Sequence, residues 1–236
     1  MRLYFVFYIF FCLTYRQIST NMASEKRVAL LLGGTGLVGK EVLMQLLSSE
    51  KYSQVKALVR KPLEISHNKL VSIIFDFNQP DATLVKADDI YCCLGTTMKK
   101  AGSKAAFYQV DYTYPYEIAK IAFAHGASRF AIITAMGASH HSLFYYNRVK
   151  GEIEEALKKI GYETLLIFHP SLLVGDRGES RFGEKIGEYL SSFFKFLIPA
   201  KYRSIEAIKV AKAMVVITSS NVKGTLVYES DLMQEF

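Results

Sequence analysis

The sequence predicts an α/β protein built on a doubly wound parallel sheet. Three observations predict it. From residue 27 onward, short β-branched apolar runs alternate with longer amphipathic stretches. The short runs are apolar throughout rather than alternating in polarity, as strands covered on both faces are. A glycine-rich turn joins the first such run to the first amphipathic stretch, the junction at which βα units begin.

The elements follow in order. "RVALLLGG" (27–34) reads as a buried strand, and "GKEVLMQLLSSE" (39–50) has helical apolar spacing. "QVKALVR" (54–60), "LVSIIFDF" (70–77) and "DIYCCLG" (89–95) read as three more strands. Residues 104–127 form a helical stretch with Pro115 near the start of its second part, where proline is tolerated. "RFAIITAMGA" (129–138) is the next strand, and 146–161 is a helix closed by Gly161. "ETLLIFHPSLLVG" (163–175) is a strand, a charged loop follows, and helices are expected near 183–197 and 204–219 before a last strand at 224–230. No repeat, low-complexity tract or linker divides the chain after Met22, so 22–236 is expected to be one domain.

Of the 236 residues, 50% are hydrophobic and 22% charged, a globular composition with enough chain for one large core. The net charge of +7 suits acidic ligands such as nucleotides. It is not gathered into a like-charged arm, which argues against nucleic acid as a partner. Cys92 and Cys93 are neighbours on a strand and point to opposite faces, so they read as reduced thiols. No His/Cys cluster has metal-site spacing.

The first 21 residues stand apart as an N-terminal apolar extension. "LYFVFYIFFCL" (3–13) is too short for an ordinary membrane-spanning helix, and behind Arg2 it resembles a signal-peptide core. "MASEKRVALLLGG", starting at Met22, reads as a cytosolic start running into the first strand. An upstream start is the preferred reading, ahead of a short anchor and of export. The expectation is a cytoplasmic protein without stable membrane insertion.

"LLLGGTGLVGK" sets Gly33, Gly36 and Gly39 between strand and helix. A dinucleotide pyrophosphate needs such a tight turn, close backbone approach and a helix N-terminus aimed at negative charge. Thr35, Leu37 and Val38 within the turn join the three glycines as expected cofactor contacts. Strand two ends in Arg60 and Lys61, where an NAD site usually carries a carboxylate for the ribose hydroxyl. Two cations there suit a 2′-phosphate, so NADP(H) is expected ahead of NAD(H). Ligands sit at the carboxyl ends of parallel strands, which adds Asp76 and Phe77 beside the adenine and Leu94, Gly95 and Thr96 along the middle of the cofactor. The G-x-x-G-x-x-G spacing resembles the short-chain dehydrogenase/reductase superfamily, in its extended or atypical branches.

Three Tyr-x-x-x-Lys pairs occur, at Tyr52/Lys56, Tyr116/Lys120 and Tyr146/Lys150. Tyr52 is read as lying before strand two and Tyr116 in the helix before strand five. Tyr146 follows strand five on a helix beginning on the cofactor side, where the superfamily carries its catalytic pair. Tyrosine titrates near 10. A lysine one turn away lowers that value and makes the phenol a usable acid–base. The superfamily adds a serine at the end of strand five. Here that place offers Thr134 and then Ala135, so Thr134 is the candidate to hold a carbonyl oxygen.

Several stretches together resemble one family: "CCLGTT" (92–97) with "KAG" (100–102), F-x-x-V-D at 107–111, K-G-E-x-E at 150–154, and D-R-x-E-S-R-x-G-E at 176–184. They are similar to the Tat-interactive-protein-2-like oxidoreductases, atypical short-chain dehydrogenases, over essentially Arg27 to the end. The resemblance implies an NAD(P)-binding Rossmann fold, NADPH binding, and Tyr146 with Lys150 as catalytic pair. Family members often have Arg where this chain has His169, and paired serines at Thr134-Ala135. Pro170, Leu172 and Leu173, after strand six, are expected against the nicotinamide. His169 itself reads equally as part of a turn that stops the strand. Arg177 and Arg181 read as a local ion-pair network before they read as substrate contacts. Two functions follow: an NADP(H)-dependent oxidoreductase acting on an unidentified carbonyl or alcohol, or a non-catalytic NADPH-binding module with a protein partner or a homodimer.

Overall fold

The computed structural model describes residues 26–175 and 199–236. The apolar extension, the 183–197 helix and the charged stretch with Arg177 and Arg181 lie outside the described residues.

Seven strands form one sheet in the order β3-β2-β1-β4-β5-β6-β9. They are β1 (Arg27–Leu32), β2 (Tyr52–Val59), β3 (Leu70–Ile74), β4 (Asp89–Cys92), β5 (Arg129–Ile133), β6 (Thr164–His169) and β9 (Gly224–Glu229). Every neighbouring pair is parallel. The chain runs outward from β1 to β3, then crosses back to lay β4 on the other side of β1. Leu32 pairs with Leu58 on one side and Cys92 on the other, so the three strand ends lie level around this reversal. Ligands bind at such a switch point in open α/β sheets.

The strand period of two divides the interior into two cores. Ala29 and Leu31 face one, with Val42 and Leu46 of helix α1 (Leu37–Ser48) and Val210 and Met214 of helix α6 (Ala207–Thr218). Leu30 and Leu32 face the other, with Ile118 and Ala122 of helix α4 (Tyr114–Ala124) and Ile153 and Leu157 of helix α5 (Tyr145–Lys158). Helices on both faces are why the central strands read as unbroken apolar runs. Edge strand β3 is the exception, with Ile74 58% exposed.

Several boundaries differ from the sequence reading. The run 163–175 is not one strand: β6 ends at His169 before Pro170, and Leu173–Val174 (β7) pairs with Ile205–Glu206 (β8) in a separate ribbon. Proline lacks the N–H that a continued ladder requires. Strand five stops at Ile133, and the Thr134 N–H makes the next bond to β6, at the Phe168 carbonyl over 3.0 Å. The 104–127 helix is α3 (Lys104–Tyr108), a π-helical turn Gln109–Thr113, and then α4. Pro115 cannot donate an α-helical bond back along the chain, and the wider turn accommodates it. A short helix α2 (Met98–Ala101), unread in the sequence, is capped by the Thr97 hydroxyl accepting from the Lys100 N–H.

Tyr52 is the first residue of β2 rather than lying before it, and it is fully buried. Its hydroxyl donates to Asp89 over 2.7 Å and lies 2.6 Å from the hydroxyl of Tyr91. Arg27 closes on the same carboxylate at 2.5 Å, with Arg129 at 3.8 Å. Burial pushes Asp89 up to about 7, against the opposing pull of Arg27. The first of the three tyrosines is therefore part of a knot at the amino-terminal ends of the strands, opposite the site described below. Tyr52→Phe is expected to lower stability by about 1–3 kcal/mol, the scale of a buried partner left unsatisfied. Urea unfolding measures this, and NADPH affinity should stay at the wild-type value.

Candidate cofactor and active site

The turn after β1 has a backbone that only glycine fits at two places. Gly33 has φ 77°, and a Cβ there would lie 2.5 Å from the Cys93 carbonyl oxygen. A Cβ on Gly39 would lie 2.0 Å from the carbonyl oxygen of Gly33, so α1 meets the turn backbone to backbone. Gly36 is the N-cap of α1, which has no side-chain cap and no acidic residue in its first turn. The helix start therefore offers positive character that no group of its own neutralises. Those features fit a dinucleotide pyrophosphate.

A cleft of about 1340 Å³ opens over this turn at the carboxyl ends of the strands. Of the expected contacts, Thr35, Gly36, Leu37 and Val38 line it from the turn, and Leu94, Gly95 and Thr96 from the end of β4. Thr134, Tyr146 and Lys150 line it from β5 and α5, and Pro170, Leu172 and Leu173 from beyond β6. Gly33 and Gly39 lie beneath, where they permit the close approach. Lys40, in the first turn of α1 where a cation suits a nearby anion, also lines the cleft, as do Lys99 and Tyr202, which the sequence reading assigned no role. Asp76 and Phe77 are not among its lining residues. Phe77 is packed against Phe75 and Tyr114, with ring centroids 5.0 and 5.4 Å away, and is a core residue. Asp76 accepts from the backbone N–H of Asn78 at 2.9 Å, a local turn. Arg60 and Lys61 are exposed just past β2, likewise outside the cleft lining.

The pair that opens α5 has a third member. Lys150 is buried, and its Nζ lies 2.7 Å from Asp111 Oδ1. The other oxygen of Asp111 accepts the N–H of Thr96 at 2.9 Å, which ties the pair to the β4 end. Asp111 sits in the π-helical turn, and the sequence reading assigned it no role. Burial pulls the Lys150 ammonium down, but Asp111 and then Tyr146 pull it up further, and the net displacement is upward. Tyr146 is 36% exposed to the cleft, with its ring 5.5 Å from that of Phe107.

Position separates the three tyrosine–lysine pairs. Lys56 donates to the Lys86 carbonyl at 2.8 Å, and Tyr52 belongs to the buried knot. Lys120 sits 5.3 Å over the ring of Tyr116 and bonds Glu117, away from the cleft. Tyr145, next to the candidate, donates to the Lys104 carbonyl at 2.9 Å. Among the three, only Tyr146 and Lys150 line the cleft together.

Thr134 departs from expectation. Its hydroxyl donates to Glu154 over 2.5 Å, so its one proton is directed at a buried carboxylate and not at a substrate carbonyl. The same Glu154 oxygen lies 2.8 Å from His169 Nε2, and His169 Nδ1 lies 3.2 Å from Glu229. His169 is thus part of a buried polar network rather than a bare strand stop. Among the described residues, no cluster of His, Cys, Asp or Glu is arranged to hold a metal ion. None of their helices is long and apolar enough to cross a membrane.

A family model described as NAD(P)H-binding matches residues 33–220. The chain is 31% identical to Protein HTATIP2 of Rattus norvegicus over 210 residues, 85% of each chain. It is 29% identical to Protein FMP52, mitochondrial, of Candida albicans over 205 residues, 83% of this chain and 90% of that one. Among solved structures, MoeE5 in complex with UDP-glucose and NAD superposes with a TM-score of 0.66 at 14% identity, over 84% of this chain and 74% of its own; the likeness is one of fold. The chain belongs to the NAD(P)H-binding family, and its relatives are those the motifs pointed to. The cytoplasmic expectation is corrected by the same comparison. The FMP52 proteins of Candida albicans, Scheffersomyces stipitis and Emericella nidulans are each named mitochondrial, which points away from a purely cytoplasmic setting.

Replacing Asp111 by Asn should leave the Lys150 ammonium buried against a neutral amide. Breaking a buried pair this way costs about 3–5 kcal/mol, to be read from denaturant unfolding. Because the ammonium is held above its ordinary value, the stabilisation is intact below the ordinary lysine range and lost only at alkaline pH beyond it. The wild-type and Asp111→Asn stabilities should therefore differ equally at pH 6 and pH 8.

Proposed function

We propose that this member of the NAD(P)H-binding family is an NADP(H)-dependent oxidoreductase acting on a carbonyl or alcohol substrate. The single observation that carries the reading is Tyr146 standing exposed in the cleft one helical turn from a buried, charged Lys150. The glycine turn and the start of α1 hold the pyrophosphate, and Lys150 holds the nicotinamide ribose. When bound, the cofactor supplies or accepts the hydride. Tyr146 donates a proton to the substrate oxygen in reduction and takes it back in oxidation. Lys150 favours that exchange because its charge stabilises the phenolate left behind. Asp111 keeps the ammonium in place and supplies the counter-charge that makes its burial tolerable. Residues 22–236 act as one unit in this reading.

Preference for NADP(H) over NAD(H) rests on Arg60 and Lys61, which stand exposed past β2 with no carboxylate at that strand end. The second reading, a non-catalytic NADPH-binding module with a protein partner, is supported by Thr134, whose proton is committed to Glu154.

Arg60→Ala should weaken NADPH by about 1–3 kcal/mol, the scale of a lost charge-assisted hydrogen bond, and leave NADH nearly unchanged; calorimetric titration of both cofactors decides it. Tyr146→Phe should leave NADPH binding intact and reduce turnover of carbonyl substrates by about 10² to 10⁴, the scale of a lost general acid. Tyr116→Phe, with the same spacing away from the cleft, should do neither. A wild-type protein that binds NADPH but turns over nothing in a broad carbonyl and alcohol panel would establish the second reading.

A further inference from the structure

Four side chains from four elements meet under one wall of the cleft. They are Thr134 after β5, Glu154 on α5, His169 at the end of β6 and Glu229 at the end of β9. The Thr134 hydroxyl and His169 Nε2 converge on one oxygen of Glu154, at 2.5 and 2.8 Å. On the far side of the ring, Nδ1 lies 3.2 Å from Glu229, which in turn lies 3.4 Å from Lys201. Thr134, Glu154 and His169 are all buried.

An ionised carboxylate only accepts hydrogen bonds. A ring with a carboxylate at each nitrogen satisfies both contacts only when both nitrogens carry protons. His169 is then an imidazolium between two carboxylates. A threonine has one proton to give, and a bond from it to a buried carboxylate is of the strong, charge-assisted kind. Thr134 also lines the cleft. What its oxygen can still offer there is a lone pair.

We propose that His169, acting through Glu154, is a positioning residue that fixes Thr134 as a hydrogen-bond acceptor on the cleft wall. The wall then takes a ligand hydroxyl or amide N–H at that point, not a carbonyl oxygen. On the oxidoreductase reading, on which this choice of occupant rests, the alcohol member of a substrate pair is held better there than its carbonyl partner. The described charged groups facing the ring are Glu154 from α5 and Glu229 from β9, with Lys201 behind Glu229; Thr134 reaches the network from β5 through Glu154. Burial lowers the affinity of His169 for its proton, and the two glutamates raise it by more, so the ring is held above its ordinary value. The arrangement is therefore complete at and below the ordinary histidine range. It is released as pH rises past the raised value, when Glu154 is left buried without its counter-charge.

The test has two arms on the full chain. In protein labelled with ¹⁵N-histidine, both ring nitrogens of His169 should show imidazolium shifts at pH 7. The midpoint should lie above the ordinary value of about 6.5, and Glu154→Gln should bring it down. A ring that titrates at or below the ordinary value overturns the proposal whatever the activity. The second arm uses NADP+ with a panel of primary and secondary alcohols, and NADPH with the matching carbonyls. Thr134→Val should raise KM for the alcohols about three- to tenfold, the scale of one neutral hydrogen bond, with kcat and the carbonyl KM changed little. Thr134→Ser should restore the alcohol KM. His169→Arg, a permanent cation, should remove the rise of alcohol KM at alkaline pH. Equal alcohol KM values in wild type and Thr134→Val overturn the acceptor role. Absence of turnover with every pair counts against the oxidoreductase reading alone, and the ring titration then decides the positioning role by itself.

Discussion

The carbonyl oxygen of Gly33 occupies space that a side chain at position 39 would need, at 2.0 Å from where a Cβ would be. That contact fixes how closely α1 can approach the end of β1, and much else is set by it. With helix and turn in backbone contact, the start of α1 stands over the carboxyl ends of β1 and β4. The same turn presses Gly33 against the Cys93 carbonyl, so β4 and the turn share one floor. Close approach, more than flexibility, is the reason for glycine here.

On that floor the protein keeps its charges in compensated groups. Lys150 and Asp111 are both almost fully buried, and neither would be tolerable there alone. Their pairing is completed by the backbone N–H of Thr96, which ties the α5 pair to the β4 end. His169 with its two glutamates repeats the logic on the other wall. At the opposite ends of the strands, Asp89 is held by Tyr52, Arg27 and Arg129. The two ends differ in access. In the lower knot Tyr52 and Asp89 are fully buried behind the two arginines, whereas Lys150 and Thr134 both reach a cleft wall.

The fold was legible because its signals are local. Apolar strands, amphipathic helices and the glycine turn each depend on residues near in sequence, and the seven strands of the sheet and the glycine turn lie close to where the pattern put them. Tyr146 was chosen over Tyr52 and Tyr116 by its place in the order of elements, which survives small errors in boundaries. What stayed hidden depends on distant pairs. Asp111 lies 39 positions before Lys150 in the chain (150 minus 111), and nothing in either stretch states that they meet. The network of Thr134, Glu154, His169 and Glu229 joins four elements, so the threonine looked like a free donor when read alone. Asp76 and Phe77 follow a strand end as read, and their own contacts are local: one closes a turn and the other packs in the core. The strand read across Pro170 failed because apolar periodicity was followed past a residue that cannot continue a ladder.

The π-helical turn Gln109–Thr113 is an ordinary helix that has taken in one additional residue. Each residue of an α-helix turns the chain by about 100°. Deleting one position in that turn would restore a regular helix from Lys104 into α4 and rotate everything before the deletion by that angle. Phe107, which packs against the ring of Tyr146, and Asp111, which holds Lys150, could not both keep their directions. The bulge thus acts as a phase shifter between the segment that borders the tyrosine and the helix that anchors the core. Homologous chains should keep the length of this stretch, and Asp111 within it, more strictly than the identities of its other residues.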